Sequence, residues 1–126
     1  MSERDLHQQP VILVVEDEEL IRLMAADILE DTGFSVLEAE NAQGALDILE
    51  QRPDVRLLFT DIHMPGSFDG MELARRVHVR WPHVRLVLTS GRGEPRGTEI
   101  PDDGRFIVKP YRAEQLVGQV QELMRG

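Results

Sequence analysis

Four short apolar runs in this chain each end in residues able to handle a charged group. Val11–Val15 is followed by Glu16 and Asp17, Val55–Thr60 by Asp61, Val84–Thr89 by Ser90 and Gly91, and Phe106–Val108 by Lys109 and Pro110. Brought together, these are three carboxylates, a hydroxyl and an ammonium. Two carboxylates about 4 Å apart repel by roughly 4 kcal/mol at an effective dielectric of 20, so such a cluster calls for a cation or for raised pKa values. A hard divalent ion meets that need: Mg2+ takes oxygen ligands, keeps several waters, and commonly pairs one or two carboxylates with a phosphate. Asp61 follows an apolar strand directly, so rigid backbone holds its carboxylate where a nucleophile would stand. A carboxylate attacks phosphorus to give an acyl phosphate when positive charge neutralises the phosphoryl oxygens. Lys109 supplies a fixed positive charge, and Ser90 a hydroxyl donor.

For these residues to meet, the runs must be neighbouring strands of one sheet, because an open α/β sheet binds ligands beyond the carboxyl ends of its strands. Val11–Val15 is continuously apolar and β-branched between Pro10 and Glu16, the pattern of a strand buried on both faces. From Glu19, the residues Ile21, Met24, Ala25, Ile28 and Leu29 recur at helical spacing until Gly33. The alternation continues with a strand over Phe34–Ala39, a helix over Ala42–Gln51 capped by Asn41, and the strand Val55–Thr60. A helix with Leu73, Val77 and Trp81 on one side ends before Pro82, and the strands Val84–Thr89 and Phe106–Val108 follow. Leu116, Val120 and Leu123 mark a closing helix. Strands separated by helices predict a doubly wound five-stranded parallel sheet with helices on both faces. Between the last two strands, Gly91–Gly104 holds four glycines and two prolines, so its helix is expected to be short or missing.

Composition bounds the function. The chain has 126 residues, 14 basic and 23 acidic, for a net charge of −9, with 41% hydrophobic residues and no cysteine. That is enough to bury one core, and residues 1–126 are expected to form a single domain with 1–9 as a flexible N-terminal segment. Disulfides and thiolate metal sites are excluded. The charged start and the absence of a long apolar run predict a cytoplasmic protein without membrane association. The negative charge predicts no direct binding of nucleic acid, which needs Lys and Arg clusters.

The stretches Val14-Val15-Glu16-Asp17-Glu18, Thr60-Asp61-Ile62-His63-Met64-Pro65 with Asp69-Gly70, Leu88-Thr89-Ser90-Gly91 and Val108-Lys109-Pro110 together resemble the receiver domain of two-component response regulators. The match covers nearly the whole chain. It implies a flavodoxin-like fold with strand order 2-1-3-4-5, and Asp61 as the phosphoacceptor. It further implies that Glu16, Asp17, Asp61 and the His63 backbone carbonyl hold Mg2+, directly or through water. Ser90 and Lys109 would bind the phosphoryl group, and Ser90 and Phe106 would act as switch residues. The implied donor is a sensor histidine kinase or a histidine phosphotransfer protein, and the implied output is a downstream protein target contacted by a monomer or weak homodimer. On this reading the chain is a phosphoacceptor switch rather than an enzyme with a separate substrate.

Two departures from the family are visible. The loop Pro65-Gly66-Ser67-Phe68-Asp69-Gly70 is one residue longer than its common form, and the Gly- and Pro-rich stretch replaces a helix that many receivers use for output. Two rival functions fit less well. A metal-dependent phosphohydrolase with an aspartyl-phosphate intermediate commonly needs a second acid two residues past the nucleophile, where His63 stands. A flavin or nucleotide module is suggested only by Gly91-Arg92-Gly93, and prolines at 95 and 101 oppose a helix opening there.

Overall fold

The structure is a computed structural model that describes residues 9–94 and 100–125. Its elements are β1 (Val11–Val15), α1 (Glu19–Asp31), β2 (Ser35–Ala39), α2 (Ala42–Gln51), β3 (Val55–Asp61), α3 (Gly70–Arg80), β4 (Arg85–Ser90), β5 (Arg105–Val108) and α4 (Ala113–Arg125). The five strands form one parallel sheet in the order β2-β1-β3-β4-β5. Each parallel step needs a crossover; α1, α2 and α3 make three of them, and together with α4 they cover both faces.

The pleat divides the core. On one face Val11, Leu13 and Val15 of β1 pack with Leu46 and Leu49 of α2 and with Leu73 and Val77 of α3. On the other, Ile12 and Val14 pack with Ala25 and Leu29 of α1 and with Leu116, Val120 and Leu123 of α4. All five β1 residues are buried, which is why that run carries no polar alternation. Burying each of these large side chains contributes about 1.5–3 kcal/mol.

Local signals fix the ends. Asn41 accepts a hydrogen bond from the Gly44 N–H at 2.7 Å to open α2, and Asp69 accepts one from the Glu72 N–H at 2.9 Å to open α3. Gly33, with φ +106°, takes the left-handed turn after α1. Trp81 falls outside the helix: it caps α3 with φ −133°, because the residue before a proline is pushed out of the helical region. The strands are displaced by a residue from the expected ends, β2 starting at Ser35, β3 reaching Asp61, and β4 running over Arg85–Ser90.

Between β4 and β5 the described residues contain only a three-residue 3-10 turn, Pro101–Asp103. The rest of that stretch, 95–99, lies outside the described residues, as do residues 1–8 of the expected flexible start. Gln9 is described, and its side chain accepts a hydrogen bond from Ser35 Oγ.

Candidate functional site

The acids meet at the carboxyl edge of β1 and β3. Glu16 follows β1 and Asp61 ends β3, and with Asp17 they present carboxylate oxygens that all lie within 4.8 Å of one another. Glu16 and Asp61 are buried, whereas Asp17 is exposed.

Lys109, just past β5, closes the cluster. Its Nζ donates to Glu16 Oε1 at 2.6 Å and to Asp61 Oδ2 at 2.8 Å. An ammonium thus sits between two of the three crowded carboxylates. Burial pushes Glu16 above the ordinary carboxylate range, more than Lys109 and the Glu18 N–H pull it down. Burial works to lower Lys109, but its bonds to Asp61 and Glu16 outweigh that and hold its ammonium above the usual lysine value. Three carboxylates against one ammonium leave two formal negative charges uncompensated. An all-oxygen donor set with that residual charge fits a hard divalent cation such as Mg2+.

Asp61 is further fixed by its surroundings. Its Oδ1 accepts the His63 N–H at 3.2 Å, and the Ile62 N–H bonds to the Thr89 carbonyl at 2.9 Å. His63 turns its side chain to solvent and its backbone toward the acid. Gly70, at the start of α3, approaches so closely that a Cβ there would overlap the Asp61 carbonyl oxygen.

Ser90 is fully buried, and its hydroxyl accepts the Arg92 N–H at 3.0 Å. It therefore holds the loop after β4 as an acceptor, with its own O–H left to donate. Phe106 is half-buried on the α2–α3 face, opposite Leu88 in the β4–β5 register, and Ser90 lies on the same face two residues on.

Two contributors are not visible in the sequence pattern. Arg22 of α1 donates from Nη1 to the Glu16 carbonyl at 2.9 Å and from Nε to Glu38 at 3.1 Å, so it ties the acidic corner to β2. In the sequence it reads only as the polar side of α1. Tyr111 is half-buried, stacks edge-on against Phe59 with centroids 5.7 Å apart, and has its phenol pushed up to about 12 by burial. With Ile21, Met24 and Ile28 of α1 it lines an apolar cavity of about 420 Å3 that reaches Lys109.

Residues 12–121 match the family model described as the response regulator receiver domain. The nitrogen assimilation regulatory protein NtrX of Azorhizobium caulinodans is 41% identical over 112 residues, which are 84% of this chain and 24% of that protein. This chain spans 13% to 51% of the length of the first curated relatives it matches. Among solved structures, the receiver domain of the hybrid histidine kinase CckA has a TM-score of 0.77 at 31% identity, covering 89% of this chain and 96% of that one. The response regulator protein TrrA of Thermotoga maritima, in complex with Mg2+ and BeF, has a TM-score of 0.82 at 27% identity, covering 91% and 99%.

Proposed function

The chain belongs to the family of response regulator receiver domains, phosphorylation-activated switches of two-component signalling, and on that premise we propose that Asp61 is its phosphoacceptor. The observation that carries this assignment is the Lys109 ammonium held 2.8 Å from Asp61 Oδ2, at the corner where the Glu16 and Asp17 carboxylates converge.

The step itself follows from charge. An Asp61 carboxylate oxygen attacks the phosphorus of a phosphohistidine on the donor; the P–O bond forms as the P–N bond breaks, and the imidazole nitrogen leaves with the electron pair. Bound at Glu16, Asp17, Asp61 and the His63 carbonyl, Mg2+ would supply positive charge to the phosphoryl oxygens. Lys109 exchanges its carboxylate partners for a phosphoryl oxygen, which keeps its ammonium in a charge-assisted bond. Ser90 turns its hydroxyl from the Arg92 N–H to a phosphoryl oxygen, which releases the loop after β4 and opens room for Phe106 to change its packing. The acyl phosphate later hydrolyses, so no separate substrate is turned over.

A sensor histidine kinase or histidine phosphotransfer protein is the proposed donor, and the apolar cavity between α1 and Tyr111 gives such a protein a footing beside Lys109. A downstream protein, rather than a phosphate backbone, suits the −9 charge of the chain. No helix among the described residues is long and apolar enough to cross a membrane. We place the chain in the cytoplasm as one receiver domain, a monomer or weak homodimer.

The test is incubation with Mg2+ and acetyl phosphate, followed by intact mass measurement. One added phosphoryl group is expected, labile to alkali and absent from Asp61→Asn. Labelling that persists in that variant would move the acceptor elsewhere.

A further inference from the structure

The Thr89 hydroxyl stands unused at the floor of the site. Thr89 is only 2% exposed, and its Oγ1 is buried with no hydrogen-bond partner. A buried hydroxyl left unpaired is destabilising, and valine has nearly the same shape without that cost. The hydroxyl therefore asks for a reason.

Its neighbours suggest one. Thr89 is the register partner of Asp61 across β3 and β4, and of Ile107 across β4 and β5. Partners in parallel register point to the same face of a sheet, and Ile107 is packed on the α1–α4 face. Asp61, Thr89 and Ile107 thus stand side by side there, and Lys109, two residues past Ile107, reaches back across the Thr89 column to Asp61 and Glu16. Thr89 is accordingly the strand neighbour of Asp61 on the face that Lys109 spans. While that pair is closed, both Asp61 oxygens already have a donor, from the His63 N–H and from Lys109.

We propose that Thr89 is a positioning residue for the phosphorylated state, its hydroxyl donating to the Asp61 carboxyl group once Lys109 has left it for the phosphoryl group. This rests on Asp61 being the phosphoacceptor. The hydroxyl is then paired in the loaded site and unpaired in the unloaded one, and the difference biases the equilibrium toward loading. Ser90 acts on the opposite face and cannot substitute for it, because successive strand residues alternate sides.

The test compares Thr89→Val and Thr89→Ser with the unaltered chain. Each is titrated with beryllofluoride in the presence of Mg2+, the lifetime of the acyl phosphate is followed by intact mass, and the urea midpoint is measured without either. Thr89→Val is expected to weaken beryllofluoride binding and shorten the acyl-phosphate lifetime by about three- to tenfold. Its unloaded stability should be equal or greater, a combination that a merely structural threonine would not give. Thr89→Ser, which keeps the hydroxyl, should bind within about twofold of the unaltered chain. Equal binding and lifetime in Thr89→Val would overturn the proposal, as would an equal loss in both variants, which would assign the effect to shape. If the unaltered chain neither bound beryllofluoride nor took up phosphate, the phosphoacceptor assignment would fall first, and this inference with it.

Discussion

Gly70 leaves no space between α3 and β3: a side chain on it would run into the carbonyl oxygen of Asp61. The Gly70 N–H also bonds to the Ile62 carbonyl at 2.9 Å, so the first residue of α3 is seated on the backbone that carries the Asp61 carboxylate. Backbone cannot rotate out of the way as a flexible side chain would. Gly70→Ala is therefore expected to destabilise the fold by about 1–3 kcal/mol through overpacking. It should also slow labelling by acetyl phosphate, since Asp61 must shift to make room. Urea unfolding and a time course of intact mass check the two effects, and an unaltered labelling rate would refute the second.

Lys109 is the cation that lets Glu16 and Asp61 sit together. Lys109→Met leaves two buried carboxylates facing each other, and removing one partner of such a cluster is costly. Because the lysine side chain is partly exposed, we expect a loss of about 1–3 kcal/mol rather than the full penalty of a dry site. Added Mg2+ should restore more stability to this variant than to the unaltered chain, read as the difference in urea midpoint with and without the ion. An equal response in both would show that the ammonium does not shield these acids.

Tyr111 is the only tyrosine in the chain, so its ionisation can be followed alone in the near ultraviolet. Its phenol is raised to about 12 when folded, against about 10 when unfolded. A raised pKa contributes stability that is fully present below the unfolded value and is lost as pH climbs through the folded one. The folded protein should keep a neutral phenol at pH 10–11 and lose stability between roughly pH 10 and 12. Lys109, also raised, adds to that loss above its ordinary lysine value near 10.5. A native phenol titrating near 10 would contradict the burial.

Arg22 grips the Glu16 carbonyl and Glu38 together. Outer residues that orient metal ligands commonly change affinity by about 10- to 100-fold when removed. Arg22→Ala is expected to weaken Mg2+ binding about tenfold by calorimetric titration. Arg22→Lys, which lacks the planar fork, should recover only part of it. Unchanged affinity in Arg22→Ala would confine the residue to a structural tie between α1 and β2.

Much of this could be read from one dimension. The β-branched run Val11–Val15 and the capped helix after Asn41 have the bounds their residues predict, because both are set by local signals: continuous apolarity in one case, a side-chain acceptor in the other. The gathering of Glu16, Asp17, Asp61 and Lys109 follows from topology once the strands are recognised. What strands and periods do not encode is how a side chain is used across long separations. Ser90 reads as a hydroxyl donor, and that its oxygen also accepts the Arg92 N–H appears only in the structure. Arg22 and Tyr111 carry no distinct signal in the sequence pattern, because their roles depend on Glu16, Glu38 and Phe59 lying next to them in space. Thr89 reads as an ordinary strand residue until its register beside Asp61 is known.

The bond from Lys109 to Glu16 joins positions 93 residues apart. A ribosome-bound chain that has emerged only as far as β4 carries every acid of the corner but lacks the cation that completes it. A chain that stops before β5 also lacks Ile107, Leu116, Val120 and Leu123, which pack the core on one face of the sheet. The acidic corner is therefore closed last, by the strand that enters the sheet last along the chain.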